Sequence, residues 1–72
     1  MEKELLEEIL NDIISKNNGD VGTSLTLITP HGESIIVLYH FIVLEEKYLY
    51  ITKIGRDEKM YIPYSMISMV KV

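Results

Sequence analysis

The chain has no cysteine among its 72 residues, and its only histidines are His31 and His40. No disulfide can staple it and no thiolate can hold a metal, and only His31 and His40 could offer imidazole. The absence of cysteine also fits a reducing compartment. Cations are scarce: seven Lys and Arg stand against eleven Asp and Glu, a net charge of −4. Phosphate binding draws on clustered Lys and Arg, so this balance argues against a general nucleic-acid binder and leaves room only for a local site. No apolar run reaches the roughly 18 residues of a membrane span. The longest, Ile35 to Leu44, contains His40 and is strand-like. The start, Met1-Glu2-Lys3-Glu4, lacks the basic-then-apolar layout of a signal peptide. A single soluble, cytoplasmic domain with no membrane contact is expected. There is no nucleophile motif, no phosphate-cradling glycine loop and no zinc spacing, so no cofactor and no enzymatic activity are expected.

What is present is apolar: 47% of residues are hydrophobic. A chain this short buries only about 60% of its unfolded surface, which leaves its stability marginal. Disulfides and thiolate metal sites are excluded by composition, so oligomerisation is the remaining source of stability.

The order of parts is informative. Leu5, Leu6, Ile9, Leu10, Ile13 and Ile14 fall in adjacent pairs four residues apart. That spacing predicts an amphipathic helix over residues 2–16, with a stripe covering about half its circumference. Acidic residues crowd its first turn, Lys16 sits in its last, and Asn17-Asn18-Gly19 is a stop signal. Residues 1–16 hold five acidic and two basic groups, a net −3, so the helix is the acidic part and residues 17–72 carry only −1. Core packing explains such a stripe, and its width also allows part of it to meet another subunit or a partner protein.

Residues 23–72 read as about five strands, making the fold α+β and mainly β. Thr23 to Thr29 alternates, and Pro30-His31-Gly32 turns the chain. Glu33 to Leu44 would reach roughly 40 Å if straight, so it must bend sharply and serve both sides of a small barrel. Glu45-Glu46 turns, Lys47 to Ile54 is the third strand, and Gly55-Arg56-Asp57-Glu58 is a hairpin loop. Lys59 to Ile62 is the fourth strand. Pro63 cannot donate to a ladder, so Pro63-Tyr64-Ser65 should break pairing and Met66 to Val72 should form the fifth strand.

This layout resembles the Sm-like (LSm and Hfq) family of small β-barrels. The likeness covers nearly the whole chain: a helix, then five strands, with a long second strand and a tight turn before the last. Leu25-Thr26-Leu27-Ile28-Thr29, Gly32 and the segment from Ile35 match the family's strand, glycine turn and bent strand. Ile67-Ser68-Met69-Val70 matches its last strand. The resemblance implies a five-stranded, strongly bent antiparallel barrel. The family's RNA-binding signatures are largely missing. Val37 replaces a glycine, Ile42-Val43-Leu44 stands where an aspartate is usual, and Pro63-Tyr64 replaces a basic pair. In Sm-like rings the fourth strand of one subunit pairs with the fifth of the next. By that resemblance Lys59, Met60, Tyr61 and Ile62 would meet Met66, Ile67, Met69 and Val70 of a neighbour. Unpaired edges and adaptable methionines point physically to the same place.

Two further sets of residues are candidates. Tyr48 and Tyr50 share one strand face, and with Lys53, Arg56 and Tyr64 they could stack and clamp RNA or another single strand. Tyrosine equally favours strands and interfaces for packing reasons. His40 lies between Tyr39 and Phe41, and strand alternation would send it to the opposite face. With no second ligand nearby it reads as a hydrogen-bonded strand histidine. The pairs Glu7-Glu8, Glu45-Glu46 and Asp57-Glu58 read as solvated charge, because nothing forces them together or buries them.

Overall fold

The computed structural model describes residues 1–52 and 58–72 of the chain. One α-helix, α1 (Lys3–Lys16), precedes six strands: β1 (Ser24–Ile28), β2 (Ser34–Leu38), β3 (Ile42–Leu44), β4 (Tyr48–Thr52), β5 (Lys59–Pro63) and β6 (Met69–Lys71). Single 3-10 turns, Tyr39–Phe41 and Tyr64–Met66, join β2 to β3 and β5 to β6. The fold is α+β and mainly β. All pairings are antiparallel and make two three-stranded sheets, ordered β2-β1-β6 and β3-β4-β5. The sheets do not close into a continuous barrel.

The helix ends where the sequence stops it. Asn18 takes φ +59° and Gly19 φ +74°. The Gly19 N–H then reaches the Ile14 carbonyl at 2.8 Å. This six-to-one bond satisfies a carbonyl that the helix would leave open. Leu6, Leu10 and Ile13, at i, i+4 and i+7, are buried. Leu5, on the other margin of the stripe, is 50% exposed. The helix therefore buries only part of its apolar face.

The long segment bends as its length demands. The molecule measures 29 × 29 × 24 Å, too small for a straight strand of that reach. The bend is a 3-10 turn rather than a curved strand, which gives six strands where five were expected. Its cause lies in the preceding loop: the Tyr39 and His40 N–H groups donate to the Thr23 and Val21 carbonyls at 2.9 and 3.0 Å. Those bonds pull the chain out of the first ladder and aim Ile42–Leu44 into the second sheet. His40 consequently sits in a turn, exposed, and not on a strand face.

The second corner also departs from expectation. Pro63 does not stop the ladder: it pairs with Tyr48 as the last residue of β5. An edge strand tolerates proline there because its outer side needs no donor. The last strand is only Met69–Lys71, since Tyr64–Met66 turns and the Ser68 N–H reaches back to the Ile28 carbonyl at 2.8 Å. The Met1 ammonium donates to the carbonyls of Tyr64 and Ile67 at 2.9 and 2.7 Å.

One core serves all parts. Leu6 and Leu10 of α1 meet Leu25, Leu27 and Val37 of the first sheet, Leu49, Ile51 and Ile62 of the second, and Tyr64 and Ile67 from the corner. Each fully buried aliphatic side chain contributes roughly 1.5–3 kcal/mol. The only buried polar residue among those described is Thr29. Its hydroxyl accepts from the Glu33 N–H at 3.1 Å across the turn.

Candidate interaction surfaces at the strand edges

Strand alternation sorts the second sheet into two faces. Leu49 and Ile51 of β4 point inward, paired with Ile62 and Met60 of β5. The outer face carries the alternate residues in register: Tyr48 opposite Pro63, Tyr50 opposite Tyr61, and Thr52 opposite Lys59. Three tyrosine rings gather there. The Tyr61 ring lies 5.6 Å from that of Tyr48, nearly edge-on, and 5.7 Å from that of Tyr50. The Lys59 ammonium sits 4.9 Å above the Tyr50 ring, within cation–π range. Tyr61 is 60% exposed and Tyr48 is 41% exposed.

β5 and β6 are outer strands of their respective sheets, and the Tyr64–Met66 turn connects them. Of the residues expected at a subunit contact, Lys59, Tyr61, Met66 and Met69 are exposed, while Met60 and Val70 are half-buried. Met69 lies opposite Ile28 on the first sheet. Ile62 and Ile67 are spent in the core of their own chain, so their side chains are not free for a neighbour. At Ile67 the backbone is engaged as well, its N–H by the Tyr64 carbonyl and its carbonyl by the Met1 ammonium.

Tyr64 is a correction to the nucleic-acid set. It is 8% exposed and offers no ring face for stacking. Its hydroxyl donates to the Glu45 carbonyl at the start of the β3–β4 turn. Burial above all, then the negative charges of Glu45, Glu7 and Glu4, raise its phenol above the ordinary tyrosine range. The structure brings Tyr48 and Tyr50 together as expected, and adds Tyr61 and Lys59 in place of Tyr64. That addition depends on the register between β4 and β5, which sets Tyr50 opposite Tyr61. Lys53 and Arg56 lie outside the described residues.

His31 is exposed in its turn. The Nδ1 of His40 lies 3.1 Å from the Val21 carbonyl. No cluster of three or more metal-ligating side chains occurs among the described residues. No described helix is long and apolar enough to cross a membrane. Comparison with known proteins finds no matching family model, no matching curated protein and no matching solved structure.

Proposed function

We propose that this chain is a non-enzymatic assembly module, an open and strongly bent small β fold of Sm-like type that forms homo-oligomers through β5 and β6. The strand order supports the reading. Taking β2 and β3 as the two arms of one bent strand, the sheets run β6-β1-β2/β3-β4-β5, so five strand units share one core. The observation that carries it is the position of β5 and β6. Each ends a sheet with no further strand beside it among the described residues, and each carries exposed large side chains, Tyr61 and Met69. Unpaired sheet margins with apolar flanks recruit another chain unless something blunts them. Joining β5 of one copy to β6 of the next is a head-to-tail contact, which closes into a ring when the rotation allows. Native mass spectrometry at micromolar concentration tests this. A discrete multiple of the 8.3 kDa chain is expected, and a monomer under all conditions would refute it.

A second reading has its own observation. The Tyr48–Tyr61–Tyr50 group with Lys59 is an exposed aromatic face carrying a cation, and base stacking on such a face is worth about 1–3 kcal/mol per base. It makes the chain a single-stranded RNA binder whose affinity falls steeply with salt. Failure to bind uridine- and adenine-rich oligomers at low salt would exclude it. A third reading has α1 dock a protein partner. The exposed Leu5 is available for that, while Leu6, Leu10 and Ile13 are committed to packing within the chain.

A further inference from the structure

A cleft of about 330 Å³ opens between α1 and the bend that joins β2 to β3, using no residue of β5 or β6. Its walls are Glu7, Leu10 and Asn11 of the helix against Tyr39, His40, Ile42 and Leu44. Glu7 and Asn11 stand at i and i+4 and so share one helix face, with Leu10 beside them. The volume falls within the range of small-ligand sites, and the lining mixes polar and apolar groups.

Two of the polar groups offer accepting oxygens. Glu7 brings a carboxylate, which only accepts hydrogen bonds, and Asn11 brings a carboxamide with an accepting oxygen. His40 lines the same cleft, with its Nδ1 3.1 Å from the Val21 carbonyl. Among the described residues no lysine or arginine lines the cleft.

We propose that this cleft is a binding site for a planar guanidinium or amidinium cation, held by the carboxylate of Glu7 and the carboxamide oxygen of Asn11 against the wall formed by Tyr39, Ile42 and Leu44. Such a cation presents several N–H donors in one plane and matches a set of acceptors that a single ammonium cannot span. Its weakly hydrated faces suit the side chains of Leu10, Ile42 and Leu44 and the ring of Tyr39. The same chemistry is carried by a free small molecule and by an arginine side chain of a peptide.

The test is a titration of the full ¹⁵N-labelled chain with benzamidine, followed by amide shifts. Saturable shifts confined to residues 7–11 and 39–44 are expected, with a Kd on the order of 1 mM or tighter for a ligand of this size. Benzamide, neutral and of the same shape, should leave those amides unmoved. Glu7→Gln, a change at an exposed position that leaves the core intact, should weaken benzamidine at least about tenfold. The peptide acetyl-Ala-Ala-Arg-Ala-Ala-amide and the single residue acetyl-arginine amide separate the two sources. A much tighter peptide identifies a polypeptide arginine, and equal affinities identify a free cation. Benzamidine without saturable shifts at the cleft, benzamide binding as well as benzamidine, or Glu7→Gln binding unchanged would each overturn the proposal.

Discussion

The hydroxyl of Tyr64 donates to the main-chain carbonyl of Glu45, tying the turn between β5 and β6 to the turn between β3 and β4. Tyr64 thereby links the last corner of the chain to the turn at the same end of the second sheet, and its ring is part of the core. Tyr64→Phe keeps the ring and removes the donor, so it should cost about 1–2 kcal/mol, the cost of leaving a carbonyl without its partner. Urea unfolding measures it. A change within error of zero would mean that solvent replaces the bond at no cost.

The same residue gives the fold an alkaline limit. Its phenol keeps its proton more tightly in the folded chain, because of burial first and of Glu45, Glu7 and Glu4 second. In the unfolded chain it titrates near the ordinary tyrosine value of about 10. Between that pH and the raised folded value the folded state binds more protons, so stability falls as pH rises. Below pH 10 this contribution is fully present. Unfolding midpoints measured from pH 8 upward should decline above about pH 10 in the parent and decline less in Tyr64→Phe.

Two neighbouring leucines make a sharp comparison. Leu6 is 0% exposed and Leu5 is 50% exposed. Leu6→Ala should cost about 2–5 kcal/mol through lost burial and a residual cavity. Leu5→Ala should stay within about 1 kcal/mol, since its outer half is already wet. Equal losses in thermal or urea unfolding would show that the monomer core does not account for the helix. A selective loss of oligomer in Leu5→Ala, with the subunit still folded, would place that margin of the stripe in a contact.

The helix, its stop signal and the first strand were legible in the chain because each rests on local chemistry. The stripe from Leu5 to Ile14, the left-handed Asn18 and Gly19, and the alternation of Leu25 and Leu27 need no tertiary information. The sharp bend within residues 33–44 was also legible, from length alone. What was not legible depended on bonds between distant segments. The turn at Tyr39–Phe41 is imposed by the carbonyls of Val21 and Thr23, sixteen or more residues upstream. His40 was misplaced for that reason. Tyr64 was misread as a surface ring because its partner, Glu45, lies on another hairpin. The aromatic face was half legible: Tyr48 and Tyr50 followed from strand period, whereas Tyr61 required the register across β4 and β5.

Asn18 offers a test of the helix stop. It holds φ +59° without being glycine, and the bond from Gly19 to the Ile14 carbonyl depends on that turn. Asn18→Ala introduces a residue that pays roughly 1 kcal/mol in this conformation, and Asn18→Gly should be neutral or slightly stabilising. Thermal unfolding of the two variants should order them Gly at or above Asn, and Asn above Ala. The reverse order would mean that the chain leaves the helix in another conformation.

The margins of the two sheets decide the proposed assembly. Tyr61 and Met69 are outward-facing residues of outer strands, and neither belongs to the core. A lysine at either position adds a charge that a free edge tolerates and a mated edge must desolvate. Tyr61→Lys and Met69→Lys, alone or together, should therefore shift native mass spectra from an oligomer to the single chain. Circular dichroism and the unfolding midpoint of the dissociated chain should stay close to parent values at matched monomer population. Single substitutions that each dissociate the oligomer would fit a contact in which β5 of one copy meets β6 of the next, because each variant spoils one side of every contact. An oligomer that survives both changes would have to be held by other surfaces, with the exposed margin of α1 the next to examine.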